Sequence, residues 1–245
     1  MNFEYHNPTH LIFGAGTLSR LGEAVSKHGK KALIVTGGGS VKRNGTFDRA
    51  VASLKAAGVA YVECDGVEPN PRITTVRRGA QIARDEHCDV IIALGGGSAM
   101  DASKVMAAAF YYNGDPWDMI YHGQPDPYIP TRALPIITVP TLAATGSEMN
   151  CGAVISNEET KEKSFVMTEC LYPMVALVDP ELTVSSGSTS ATLGYRHSVW
   201  TNDFSLVSSF EITAPQFISE PVAAKVGTVM MGKARVGTYG SGWPW

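Results

Sequence analysis

The sequence has no apolar run near the roughly 18 residues that a membrane-spanning helix takes. Met1 to His6 lack the basic-then-apolar layout of an export signal. There is no surplus of positive charge: 20 Lys and Arg stand against 23 Asp and Glu, a formal net charge of −3. That balance excludes a basic nucleic-acid binder or a membrane-surface binder. Cysteine is scarce and scattered, as Cys64, Cys88, Cys151 and Cys170, with no pair spaced for zinc or redox exchange. Free thiols in a reducing cytoplasm are the expectation. What is there is ordinary for a globular chain: 44% hydrophobic and 18% charged residues over 245 positions, enough to bury a sizeable core.

Two regions read differently. Through residue 183, short apolar runs alternate with amphipathic stretches. Leu11–Phe13, Ala32–Val35, Val62–Cys64 and Val90–Leu94 read as strands, as do Leu134–Thr138, Ala153–Ile155 and Met174–Val178. Several are continuous rather than alternating, as strands covered on both faces require. Ile73, Val76, Ala80 and Ala83 recur at helical spacing, and Asp48–Ala57 and Ser98–Phe110 behave likewise. Strand–helix–strand order of this kind predicts an α/β domain, a parallel sheet flanked by helices. Gly114–Pro130 reads as a surface excursion. The 62 residues from 184 to 245 carry seven charges and open on a Ser-, Thr- and Gly-rich stretch. They read as an irregular tail, with Glu220–Lys233 its one helical candidate.

Three glycine turns follow strands. Gly95-Gly96-Gly97-Ser98 follows the most apolar strand and opens a helix. Glycines there let a pyrophosphate approach the backbone, and the free amides and dipole of the helix start favour its charge. Ser98 is placed to cap the helix or to donate to a phosphate oxygen. The alternative is a tight turn with no ligand. The Walker spacing is absent. Gly37-Gly38-Gly39-Ser40 follows an earlier strand and runs into Lys42 and Arg43. No acidic residue stands where one would hold an adenosine ribose diol, and the two cations offer donors to a 2′-phosphate, so NADP is favoured over NAD. Gly14-Ala15-Gly16 lacks the last glycine of the dinucleotide fingerprint and reads as a turn. A hydroxyl-rich stretch, Thr138 to Asn150, ends a later strand.

Together these segments resemble the iron-containing (group III) alcohol dehydrogenase family, in its NADP-using butanol and aldehyde reductase branch. The matching pieces run collinearly from Pro8–Gly14 through Gly37–Lys42, Gly66–Pro71, Gly95–Ser98 with Asp101 and Lys104, Ala144–Glu148 and Gly152–Ser156 to Lys163 and Asp179–Thr183. The resemblance implies that residues 1–183 form a Rossmann-like α/β dinucleotide-binding domain, and that the protein interconverts small alcohols and aldehydes by NADP(H)-dependent hydride transfer. It places Gly96, Gly97 and Ser98 on the pyrophosphate, Asp101 close to the cofactor, and Gly37, Gly38, Gly39 and Ser40 on the adenosine ribose and its 2′-phosphate. Thr138, Thr141, Ser147, Asn150, Lys163 and Leu182 match positions lining the cofactor cleft. It also implies a homodimer formed through N-terminal strands.

Family members continue into a helical domain that binds one divalent metal through an Asp and three His, and that metal polarises the substrate oxygen. Beyond Thr183 this sequence has one histidine, His197, and one aspartate, Asp203. Counted from Asp179-Pro180, the first two ligand places fall on His197 and Thr201, and neither residue type matches. The helical domain is therefore expected to be missing or replaced. A shifted reading frame after about Ser185 would account for the break; absence of helical-domain similarity in both alternative frames of the gene would rule it out. Without a metal, turnover would need another electrophile near the nicotinamide, such as His197, Lys163 or a hydroxyl of the tail. The competing function is an NADP(H)-binding remnant without turnover. No tightly bound catalytic metal is expected: chelator-washed protein should carry far less than one zinc or iron per chain by elemental analysis, and a stoichiometric metal would contradict this reading.

Overall fold

The structure, a computed structural model, describes residues 6–183. The expectations for the tail, including the Glu220–Lys233 helix and His197, lie outside the described residues. The chain runs through β1 (His10–Phe13), α1 (Leu21–Ser26), β2 (Lys31–Thr36), α2 (Ser40–Arg43), α3 (Thr46–Ala56), β3 (Ala60–Cys64), α4 (Ile73–Asp85), β4 (Val90–Gly95) and α5 (Gly97–Ala109). It continues through β5 (Ile136–Pro140), β6 (Gly152–Asn157), β7 (Glu162–Met167) and β8 (Val175–Val178). Six strands form one sheet in the order β1-β8-β5-β4-β2-β3, every neighbouring pair parallel.

The continuous apolar runs are explained by cover on both faces. Leu33, Val35 and Ile91 point to one side and pack with Val76, Ala80 and Ala83 of α4 and Ala102, Val105 and Met106 of α5. Their sequence neighbours Ala32, Ile34, Ile92 and Leu94 point to the other side, toward Leu21 and Val25 of α1 and Ala50, Val51 and Leu54 of α3. The strand period of two thus feeds two cores from one run. The predicted helical spacing in α4 holds: Ile73, Val76, Ala80 and Ala83 are all fully buried.

β7 departs from the sequence reading. Glu162-Lys163-Ser164-Phe165-Val166-Met167 pairs antiparallel with β6 as a separate two-stranded ribbon. Only Val166 of this strand is buried, so it carries too weak an alternation to be recognised. The Gly114–Pro130 excursion is pinned down rather than loose. Asp115 caps a short 3-10 turn over Pro116–Met119, and Trp117, Met119 and Ile120 are buried against the α4–α5 core.

Helices α1 and α3 meet at a glycine. A Cβ on Gly22 would lie 2.1 Å from the Ser53 carbonyl oxygen and 2.8 Å from Ala57 Cβ, and the Gly22 amide donates to Ser53 Oγ at 2.9 Å. Gly22→Ala should therefore force the helices apart and cost about 2 kcal/mol or more, read as a thermal melt several degrees below wild type; an unchanged melt would refute this packing.

Candidate functional site

Strands β2 and β4 are neighbours, with Thr36 opposite Leu94. The chain leaves β2 toward α3 on one face and leaves β4 toward α5 on the other. Between two such strands no helix covers the carboxyl end of the sheet, and a crevice opens there. Its two lips are the turns Gly37–Ser40 and Gly95–Ser98. They are close: a Cβ on Gly95 would come within 3.9 Å of the Gly37 amide nitrogen. The third wall is the loop after β5. The Thr141 amide donates to the Gly95 carbonyl at 3.0 Å, and Leu142 and Ala144 lie 3.8 and 3.9 Å from where side chains on Gly96 and Gly97 would begin.

Helix α5 starts at this crevice. Gly96 is its N-cap, in extended backbone, and no side chain caps the helix. The expectation that Ser98 caps it is thus corrected: Ser98 lies inside the first turn, where the Ala99 and Met100 amides donate to the Gly96 carbonyl and the Gly97 and Ser98 amides stand at positions with no intrahelical acceptor. The neighbouring turn is closed by Gly39, whose φ of 88° suits glycine, and Arg43 Nη1 donates to the Gly38 carbonyl at 3.2 Å. Nothing lies within 4 Å of a Cβ built on Gly38. Both glycine turns therefore leave open backbone surface, and the residues present fit a dinucleotide.

A second correction concerns charge. The sequence offers Lys42 and Arg43 beside this turn as donors to a 2′-phosphate. The Lys42 ammonium instead sits 2.5 Å from Glu63 Oε1 and 3.1 Å from Asp65 Oδ2, at the end of β3. The Glu63 and then the Asp65 hydrogen bond raise its pKa, and Lys42 in turn lowers that of Asp65. Strand β3 lies against β2, with Glu63 opposite Ile34. That tertiary pairing is what brings the carboxylates to a turn about twenty residues earlier.

Under the roof of the crevice lies a buried polar network. Lys104, fully buried on α5, donates to Ser147 Oγ at 2.9 Å, Asn150 Oδ1 at 3.0 Å and the Gly152 carbonyl at 2.8 Å. All three ammonium protons are used. The Ser147 hydroxyl donates a hydrogen bond to Asp101 Oδ1 at 2.6 Å, and the Val154 amide donates to Asp101 Oδ2 at 3.1 Å. Burial pushes the Asp101 carboxyl up, opposed by the Ser147 hydrogen bond and the Lys104 charge. Burial also lowers Lys104, to about 8, opposed by Asp101. The sequence reading had used Lys104 only as part of a resemblance. Its signal was the Asp-x-x-Lys spacing, one helical turn, in an otherwise alanine-rich helix.

The remaining expected site residues divide. Asn150 joins the network and Thr141 stands at the crevice rim. Lys163 is exposed on β7, reaches Asn70 Oδ1 at 2.6 Å, and adds positive charge beside Asp101. Thr138 is fully buried beneath the rim, its hydroxyl within 3.4 Å of the Glu148 and Val175 carbonyls. Leu182 is buried in the core with Ile12, Leu18 and Leu177. Among the described residues no three His, Cys, Asp or Glu side chains converge as a metal site; the ligand places that the resemblance implies lie outside them. No helix among them is long and apolar enough to cross a membrane.

The sequence pattern of iron-containing alcohol dehydrogenases matches residues 8–180. The chain is 49% identical over 193 residues to NADH-dependent butanol dehydrogenase A of Clostridium acetobutylicum, covering 78% of this chain and 49% of that protein. It is 35% identical over 227 residues to the NADPH-dependent aldehyde reductase YqhD of Escherichia coli K12, covering 92% and 54%. The crystal structure of NADH-dependent butanol dehydrogenase A from Thermotoga maritima superposes with a TM-score of 0.72 at 42% identity, covering 79% of this chain and 48% of that one. The chain spans about half the length of the curated relatives it matches.

The buried lysine predicts a pH effect with a definite sign. Folded Lys104 loses its proton near 8, whereas an unfolded lysine titrates at about 10.4. Between those values the unfolded chain holds the extra proton, so this group's contribution to stability rises with pH. Denaturant unfolding should show wild type gaining stability relative to Lys104→Met from about pH 8 to about pH 10; a constant difference would contradict the burial of a charged lysine.

Proposed function

Because the chain belongs to the iron-containing alcohol dehydrogenase family, we propose that its α/β domain binds NADP(H) for an oxidoreductase that interconverts small alcohols and aldehydes by hydride transfer. The observation that carries the reading is the pair of glycine turns flanking the β2–β4 crevice, with uncapped α5 pointing into it. In this reading Gly96, Gly97 and Ser98 hold the pyrophosphate through first-turn amides, which the dipole of α5 reinforces. Gly37, Gly38, Gly39 and Ser40 receive the adenosine ribose and its 2′-phosphate. Asp101, Thr141, Ser147, Asn150 and Lys163 face the cofactor, while Thr138 and Leu182 support the rim from below.

The bound dihydronicotinamide supplies the hydride. The chain's own part is to fix the dinucleotide along the carboxyl edge of the sheet, with its two phosphates on the α5 amides. A metal would supply charge stabilisation at the substrate oxygen, but no step is assigned to one, since its family ligand places fall on His197 and Thr201, outside the described residues. Four free thiols support a reducing, cytoplasmic setting. Strand β1 stands at the sheet edge with β8 as its one neighbour among the described residues, which suits pairing with a second copy.

The preference for NADP rests on the missing acid after β2 and on Lys42 and Arg43, and the Glu63–Asp65 clasp works against it. NADPH should bind more tightly than NADH. Releasing Lys42 by Glu63→Gln with Asp65→Asn should widen the gap by roughly threefold to tenfold, the scale of freeing one charge near a phosphate; a gap that narrows would refute the assignment of this turn to the 2′-phosphate. For the reaction, NADPH consumption is followed with a panel of short aldehydes on chelated protein, then after zinc or ferrous ion is added. Aldehyde-dependent consumption in either condition supports the oxidoreductase. Binding without consumption in both leaves a dinucleotide-binding protein with no turnover, and an absence of binding overturns the proposal.

A further inference from the structure

The loop that roofs the glycine turn is held from below chiefly by Lys104 and Asp101 of α5, with Asn7 donating to the Met149 carbonyl at 3.0 Å. Residues Thr141–Ala144 are exposed, apart from the half-buried Thr141; the Thr141 amide bonds the Gly95 carbonyl, and Leu142 and Ala144 stand over Gly96 and Gly97, 3.8–3.9 Å from where their side chains would begin. Just after them the chain descends through Ser147, Asn150 and Gly152, all three bonded to Lys104 Nζ. Asn150 then braces the descent: its Nδ2 donates to the Gly146 carbonyl at 3.0 Å, and its Oδ1 accepts the Gly152 amide at 2.9 Å. Lys104 lies on the same helix whose first turn opens the crevice. One ammonium therefore ties floor and roof of the crevice together.

We propose that Lys104 is a positioning residue for the dinucleotide, setting the height of the 141–152 loop over the Gly96–Ser98 turn so that the pyrophosphate is gripped from both sides. This rests on the preceding assignment of that turn to a pyrophosphate. Fold stability alone gives little reason for a charge at this place. Burying an ammonium is costly, and a whole buried ion pair can often be replaced by apolar side chains without loss of stability, although removing one partner alone is destabilising. Directionality is what a methionine would lack: three bonds from one point fix the loop, whereas apolar packing tolerates sliding. The charged and titratable groups facing Lys104 are Asp101 on its own helix and Glu148 and Cys151 from the loop, with Lys163 of β7 acting on Asp101.

The test compares the full chain with Lys104→Met and Lys104→Gln, titrated with NADPH and with adenosine 2′-monophosphate, which has no pyrophosphate. Thermal melts are recorded alongside. Lys104→Met, which strips the ammonium from Asp101 and from its three oxygen partners, is expected to melt several degrees below wild type while still unfolding cooperatively, and to bind NADPH roughly tenfold or more weakly, the scale of unpairing buried polar partners. Adenosine 2′-monophosphate should bind all forms alike, and Lys104→Gln, which keeps a donor, should fall between. Where Met is not tolerated, Gln should show the same split between ligands. Equal NADPH binding by wild type and either folded variant, or equal loss of both ligands, would overturn the proposal and leave Lys104 a structural residue. A wild-type chain that binds neither ligand would overturn the pyrophosphate assignment itself.

Discussion

The parallel pairing of β2 with β4 is the constraint on which the rest depends. Their connections leave to opposite faces of the sheet, so the carboxyl end between them cannot be closed by either helix. Everything with chemical interest collects at that opening: the two glycine turns, the start of α5, the loop after β5 and the polar network beneath it. The apolar runs Ala32–Val35 and Val90–Leu94 matter to function for this reason. By filling two cores at once they hold these two strands side by side, and the side-by-side placement makes the crevice.

Most of this frame was legible in the sequence. Continuous apolar strands announced cover on both faces, the Ile73–Ala83 spacing announced α4, and the glycines after β2 and β4 marked the loops that meet. What stayed hidden was of two kinds. Strand β7 escaped because Glu162-Lys163-Ser164 has no apolar alternation; it is a strand because β6 and the Phe165–Tyr121 contact receive it. The electrostatic partners of Lys42 and Lys104 escaped because they are tertiary. Glu63 and Asp65 reach Lys42 only once β3 lies against β2, and Ser147, Asn150 and Gly152 reach Lys104 only once the β5–β6 connection folds onto α5.

Those hidden partners change the chemistry more than the fold. A lysine read as a free donor to a 2′-phosphate is shared with two carboxylates, Glu63 and Asp65, so the charge beside the first glycine turn is a balance of one ammonium against two acids. A lysine noticed only for its spacing proves to be the hub of the second wall. Asp101 and Lys104, one helical turn apart, share Ser147 between them, so the helix that offers its amides to a ligand also carries the anchor of the loop above it.

The most direct test of the crevice as a dinucleotide site is amide hydrogen exchange of the full chain with and without saturating NADPH. The account predicts slowed exchange concentrated at Gly37–Ser40, Gly96–Ser98 and Thr141–Asn150, with the outer faces of α3 and α4 unchanged. Protection elsewhere with these three segments unaffected would contradict it.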